Sequence, residues 1–125
     1  MHIEVSTGEI LDKLSILEIK RNKITDINKL YNITKEYEYL IELSDVLLQN
    51  TDIKILFDKL KHTNSILWDV EDAIRQKEKF QSFDHEFINL ARRVYIYNDE
   101  RAELKKQINK LTQSNFMEEK SYEQY

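Results

Sequence analysis

Apolar residues recur at helical spacing along four long stretches of this 125-residue chain, which has one Gly and no Pro to interrupt them. Because Gly and Pro are the residues that break helices and shape tight turns, a chain with almost none favours long helices joined by short polar connections. The spacing predicts an all-α fold, an antiparallel up-and-down bundle in a single domain over residues 1–125. A short extended N-terminal arm over 1–6 precedes it, and a C-terminal tail over 114–125 is expected to dock through its aromatic residues. The four predicted helices cover residues 7–24, 26–49, 52–79 and 84–113.

Residues that favour helix N-termini precede each of these stretches. Ser6, followed three positions later by Glu9, matches the capping-box pattern, in which each side chain satisfies a backbone N–H at the start of the helix. The remaining candidate caps are Thr25 or Asp26, Thr51 or Asp52, and Ser82 or Asp84.

Composition limits the classes of function. With no Cys, the chain has no disulfide, thiolate metal site or cysteine nucleophile, and the cytoplasm is the expected compartment. The first ten residues lack a basic and an apolar region, and no segment has eighteen uninterrupted apolar residues, so neither secretion nor membrane insertion is expected. A net charge of −4 argues against binding nucleic acid over the whole surface. The single Gly cannot form a Gly-rich loop that binds phosphate. The sequence predicts no cofactor.

Polar residues interrupt the apolar stripes of three helices, and these interruptions are the only indication of a site. Helical geometry places them on inward-facing arcs. In an up-and-down bundle, Arg21 lies level with Glu71, and Asn64 lies level with Asn98. Two polar layers result. The interrupting residues are Arg21, Asn64, Glu71, Asn98 and Arg101.

Two interpretations of these layers stay open, and we favour the first. The layers satisfy themselves through an Arg21–Glu71 pair, an Arg101–Glu38 pair and hydrogen bonds between the amides of Asn64 and Asn98, which would fix helix register.

In the second interpretation, Glu38 points to solvent and an anionic ligand completes the charge balance, because guanidinium groups match carboxylate and phosphate geometry. The candidate ligand-binding residues are Arg21, Asn64, Glu71, Arg75, Asn98 and Arg101.

Two aromatic residues, Trp68 and Tyr95, mark a candidate interface for a partner helix, and exposed apolar surface on long amphipathic helices favours a homodimer. No metal site is predicted. The carboxylates of Asp69, Glu71 and Asp72 point to different sides of one helix and do not converge.

Four segments together resemble an uncharacterised family of small bacterial proteins, a domain of unknown function of about this length. The segments are VSTGEILDKLSILEIK, LWDVEDAIR, LARRVYIYNDERAELKKQIN and EEKSYEQY, and they span nearly the whole chain. They include Glu71, Arg75, Asn98 and Arg101. The resemblance implies a small helical protein, sometimes encoded near genes for surface polysaccharides, and no particular chemistry.

A second, narrower likeness concerns the first predicted helix alone. GEILDKLSILEIKRNKI is similar in rhythm to the first helix of the all-helical chorismate mutases, which bind a dianion between helices. The later basic residue and the acid–arginine cluster of that family have no match here, and the helical period alone produces much of the rhythm.

The sequence therefore predicts a non-catalytic cytoplasmic binding or adaptor protein, with a polar core that either specifies the fold or receives a small anion. The alternative is a small enzyme acting on a phosphorylated or carboxylated metabolite, in which Arg21 and Arg101 clamp the anion and Glu71 is the general acid or base.

Overall fold

The computed structural model describes all residues from 1 to 125 and contains four α-helices. Their bounds differ from the predicted ones by no more than two residues, which confirms the all-α prediction. The helices are α1 (Thr7–Lys23), α2 (Ile27–Leu48), α3 (Thr51–Lys79) and α4 (His85–Leu111).

Side-chain caps fix where the helices begin. Ser6 accepts a hydrogen bond from the N–H of Glu9 at 3.2 Å, and Asp26 and Asp84 cap α2 and α4 in the same way. The predicted caps of α3 are wrong, because Asn50 accepts from two backbone N–H groups of the first turn, at 2.9 and 3.1 Å. A short amide side chain in this position satisfies two donors that the helix itself leaves unpaired.

Two helices end in a left-handed residue without using glycine. Gln81 and Gln113, just beyond α3 and α4, both have a φ of 53°. The next N–H groups, those of Ser82 and Ser114, bond back to carbonyls five residues earlier at 2.9 Å, the pattern of a Schellman motif. Because a side chain is disfavoured in this conformation, the chain accepts a small local cost at both ends.

Helix α1 lies against all three other helices, while the backbones of α2 and α4 do not come close to each other. As a result, α1 is buried on several faces, and its side chains dominate the largest apolar cluster together with those of α3. The buried apolar residues of that cluster are Leu11, Leu14, Leu17, Ile33, Leu40, Ile53, Phe57, Leu60, Leu104 and Ile108.

Gly8 marks the closest approach of α1 to α4. A Cβ at this position would lie 2.7 Å from the backbone oxygen of Lys105 and 2.9 Å from Oδ1 of Asn109. The N–H of Gly8 donates to that same Asn109 oxygen at 2.6 Å. The only glycine of the chain is therefore required by packing, and it seats the start of α1 against α4.

The two terminal segments lie side by side. Asn115 donates to Glu4 at 2.8 Å, and the N–H of Thr7 donates to Ser114 at 3.3 Å. No helix is long and apolar enough to cross a membrane.

Candidate ligand-binding site

A buried ion pair joins α1 to α4 at the centre of the polar core. Arg101 donates through Nε to Oδ1 of Asp12 at 2.9 Å and through Nη2 to Oδ2 at 2.5 Å. Asp12 is almost completely buried, with 4% of its side chain exposed, whereas 30% of the Arg101 side chain reaches solvent. The hydrogen bonds that Arg101 donates to Asp12 outweigh burial and raise the pKa of Arg101, so the guanidinium is firmly charged.

Asn64 of α3 extends this polar layer. Its Nδ2 donates to Asp12 at 2.9 Å and to the hydroxyl of Ser15 at 2.8 Å, and the side chain is buried. The predicted bond between Asn64 and Asn98 is wrong. Asn98 instead donates to the carbonyl of Val94 in its own helix at 2.9 Å and accepts a long contact from Arg101 at 3.5 Å.

The ion pairs predicted from the sequence are also wrong. Arg21 is exposed and its guanidinium lies over the ring of Tyr37 at 4.1 Å, while Glu71 pairs with Arg75 one turn further along α3, at 3.3 Å. Glu38 is exposed, and Asp12 takes the place predicted for it beside Arg101. Arg21 lies in the last turn of α1, where a long side chain reaches solvent easily.

Outside the ion pair, a cavity of about 380 Å³ opens between α1, α3 and α4; we call it the α1–α3–α4 cavity. The structure brings five of the six candidate ligand-binding residues together in its lining, and Arg21 is the exception. The lining consists of Asn64, Glu71, Arg75, Asn98 and Arg101 with Ile16, Ile19, Leu67 and Trp68.

The two candidate interface residues occupy different places. Trp68 lines the α1–α3–α4 cavity. Tyr95 packs edge to face against Tyr125 of the tail, with ring centroids 5.3 Å apart, and Tyr125 donates to Asp99 at 2.6 Å. The tail therefore covers part of the surface predicted for a partner, although its Phe116 is exposed and takes no part in this docking.

A second charged cluster lies next to the first on α4. The ammonium of Lys105 contacts Glu9 of α1 at 2.5 Å and Glu118 of the tail at 2.8 Å, and only 9% of its side chain is exposed. Burial by itself would lower the pKa of Lys105, but the hydrogen bonds that its ammonium donates to Glu118 and Glu9 more than offset this effect and raise that pKa. The same contact with Lys105 lowers the pKa of Glu118.

Sequence reasoning missed Asp12, the residue on which the polar core depends. The signal was present as Gly8, Asp12, Ser15 and Ile19, which follow one another at spacings of four, three and four along one face of α1. Small and polar residues at that spacing mark a face that packs closely against a neighbouring helix. The apolar stripe of α1 lies on another side of the helix and does not indicate this face.

No group of three or more His, Asp or Glu side chains is placed to hold a metal ion. The cavity is lined by two guanidinium groups and two amides, which suit an oxyanion, and by one carboxylate, that of Glu71.

Fold and site define a small all-helical protein in which a buried carboxylate–guanidinium pair backs a cavity open to solvent. The chain belongs to a family of unknown function, DUF6165, whose model matches residues 1–125. This agrees with the resemblance carried by the four sequence segments. No curated protein and no solved structure matches the chain significantly.

Proposed function

We propose that this is a non-catalytic binding or adaptor protein that receives a small anionic ligand in the α1–α3–α4 cavity. The observation that carries the proposal is the set of guanidinium donors left over at its wall. Arg101 uses Nε and Nη2 for Asp12, and its Nη1 has only the 3.5 Å contact with Asn98. Arg75 contacts Glu71 through Nε alone, so both of its terminal nitrogens remain available to a ligand.

The apolar residues of the lining support a ligand with an apolar or planar part. Ile16, Ile19, Leu67 and Trp68 line the cavity together with the guanidinium, amide and carboxylate groups. A few placed polar groups beside apolar side chains are typical of small-molecule sites. A ligand that combines a carboxylate or phosphate with an apolar or ring portion matches this mixed lining.

Charge balance limits how tightly such a ligand binds. Arg101 already pairs with Asp12 and Arg75 with Glu71, so the ligand adds hydrogen bonds rather than neutralising a bare charge. Modest affinity follows, which suits a sensor or an adaptor. We expect the protein to act in the cytoplasm, consistent with a chain that contains no Cys.

The enzymatic alternative rests on Glu71. Its carboxylate lies in the lining of the cavity and is held by one contact with Arg75, with about half of the side chain exposed. In that position it could exchange a proton with a phosphorylated or carboxylated metabolite bound by Arg101. Arg21 has no part in this alternative, because it lies outside the cavity.

A ligand screen tests the proposal. Thermal unfolding and the fluorescence of Trp68, the only Trp, are measured with phosphorylated sugars, nucleotides, nucleotide sugars and dicarboxylates. One class is expected to stabilise the protein, by about 2.7 kcal/mol at a ligand concentration a hundred times Kd, and to change the fluorescence.

Matched variants locate the binding. Arg75→Ala should weaken it, and Arg93→Ala, which removes an exposed guanidinium of α4 outside the cavity, should not. Arg101→Leu is unsuitable as the primary test, because it leaves Asp12 buried without its partner. If no class of anion shifts unfolding or fluorescence, the polar core serves only the fold. Conversion of a bound ligand, lost in Glu71→Gln, would favour the enzyme.

A further inference from the structure

The C-terminal tail contributes a carboxylate to a buried cation, and this contact goes beyond the α1–α3–α4 cavity. Glu118 lies seven positions beyond the last residue of α4, in a segment without helix or strand. Its carboxylate contacts Lys105 at 2.8 Å, and Lys120 lies 3.7 Å from its other oxygen. A small cavity of about 270 Å³ adjoins this contact, and Glu118 and Lys120 form its wall on the side of the tail.

Arg101 connects the two cavities. It lines the small one together with Glu9, Asn98 and Lys105, and it also lines the α1–α3–α4 cavity. One guanidinium therefore borders both spaces, and the tail forms part of the wall of the smaller one.

Glu118 balances the charge of this cluster. Three cations, Arg101, Lys105 and Lys120, face three carboxylates, those of Asp12, Glu9 and Glu118. Asp12 and Glu9 belong to α1 and are fixed by the fold, whereas Glu118 is held by the tail alone. Loss of its charge would leave the cluster with one unbalanced positive charge around a largely buried ammonium, which costs free energy unless another anion enters.

We propose that Lys105 and Arg101 form a second anion subsite, specific for a carboxylate, which Glu118 fills in this structure as a built-in ligand. We call the acidic and aromatic segment 118–125 the strap, and we propose that it can be displaced. The strap is held at Glu118 by Lys105 and at its far end by the contacts of Tyr125 with Asp99 and Tyr95. A free carboxylate that takes the place of Glu118 keeps the charge balance and releases the strap from α4.

The other contacts of the strap are weak, so a free carboxylate can displace it from α4. Tyr122 and Tyr125 are mostly exposed, and Glu119 reaches Lys106 only at 3.9 Å. Ordering such a segment costs conformational entropy, and exposed ion pairs return little free energy. The contact of Glu118 with the buried Lys105 is thus the main attachment, and a competing carboxylate needs to replace only that one.

The test uses the full chain and propionate, which reproduces the end of a glutamate side chain. Glu118→Gln removes the internal carboxylate, and Glu119→Gln is the matched control on the next residue. Binding and strap position are followed together from amide chemical shifts. We expect Glu118→Gln to bind propionate about fivefold more tightly than the unchanged protein, with shifts centred on Lys105, and Glu119→Gln to behave like the unchanged protein. In the unchanged protein, propionate should move the signals of 118–125 towards their positions in Glu118→Gln.

Equal affinities for propionate in all three proteins would overturn the proposal of a displaceable strap. Propionate binding that leaves the signals of 118–125 unmoved would overturn it too. These outcomes are separable from the fate of the first cavity. A ligand that quenches Trp68 with the same affinity in Glu118→Gln and in the unchanged protein leaves the cavity proposal intact and contradicts the strap. Propionate that binds at Lys105 more tightly in Glu118→Gln and moves the signals of 118–125 in the unchanged protein, while no anion of the screen affects Trp68, supports the subsite and removes the cavity function.

Discussion

Replacing Asp12 with Ala tests the central ion pair of this fold. Breaking a buried pair by removing one partner costs about 3–5 kcal/mol, because the other charge stays buried. Asp12 loses three hydrogen bonds here, two from Arg101 and one from Asn64. Since 30% of the Arg101 side chain is already exposed, water relieves part of the penalty, and we expect the lower end, about 3 kcal/mol.

Denaturation followed by far-ultraviolet circular dichroism measures this loss, because the helices give the signal and Trp68 gives a second, local probe. A domain of this size has a total stability of about 5–15 kcal/mol, so Asp12→Ala should still fold, with an unfolding temperature lower by about 10 °C. Adding Arg101→Leu to Asp12→Ala removes the orphaned charge, and the double variant should lose less stability than the sum of the two single variants.

Glu71→Ala is the matched control. It removes a carboxylate whose partner, Arg75, is 80% exposed, so we expect a change of no more than about 0.5 kcal/mol. The sequence predicted Glu71 as a buried partner of arginine, and the two variants separate that prediction from the observed arrangement. A greater loss for Glu71→Ala than for Asp12→Ala, or strict additivity in the double variant, would refute the reasoning.

Four further expectations concern packing, an orphaned hydroxyl, the tail and assembly. Gly8→Ala should lower stability by about 1–3 kcal/mol in the same denaturation assay, because the added methyl meets a backbone oxygen of α4 at 2.7 Å; unchanged stability would mean that α1 shifts without cost. Ser44→Ala should leave stability unchanged or raise it by about 1 kcal/mol, since the buried hydroxyl of Ser44 has no hydrogen-bond partner, whereas Ser15→Ala should lower it. Because Lys105 holds the pKa of Glu118 below its usual range, the docking contribution of the tail is present above the ordinary glutamate pKa and is lost as the pH falls through the lowered value; the amide chemical shifts of 118–125 should then move towards those of Glu118→Gln, and shifts that stay unchanged in acid would contradict the contact. Light scattering should give the mass of a dimer, as expected from the exposed apolar side chains of the helices, and a monomer mass at all concentrations would contradict it.

Much of the secondary structure was readable from the sequence because it depends on neighbours in the chain. Apolar spacing located the four helices, and Ser6, Asp26 and Asp84 were recognisable caps, since a cap acts within three residues of itself. Asn50 was missed because Thr51 and Asp52 beside it are equally good capping residues, and only the backbone geometry decides among them.

The candidate site was readable in part. Residues of α3 and α4 that interrupt an apolar stripe do line one cavity, because helical spacing places them on the sides of these helices that border it, although Glu71 is exposed there and not buried. The ion-pair and hydrogen-bond partners of these residues could not be predicted from helical spacing. Several carboxylates lie at similar levels of a bundle, and the choice of Asp12 over Glu38 depends on how far each helix is rotated about its own axis.

The sequence alone determined an all-helical chain with four helices and the positions of most of their ends, since helical spacing, caps and the lack of Gly and Pro act locally. Only the tertiary structure decided which face of α1 is buried, because α1 packs against three helices and its small polar face meets α3 and α4. It also decided the partner of Lys105, since Glu9 and Glu118 come from opposite ends of the chain. Contacts between residues so distant in sequence depend on the packed arrangement of the helices, which no local pattern specifies.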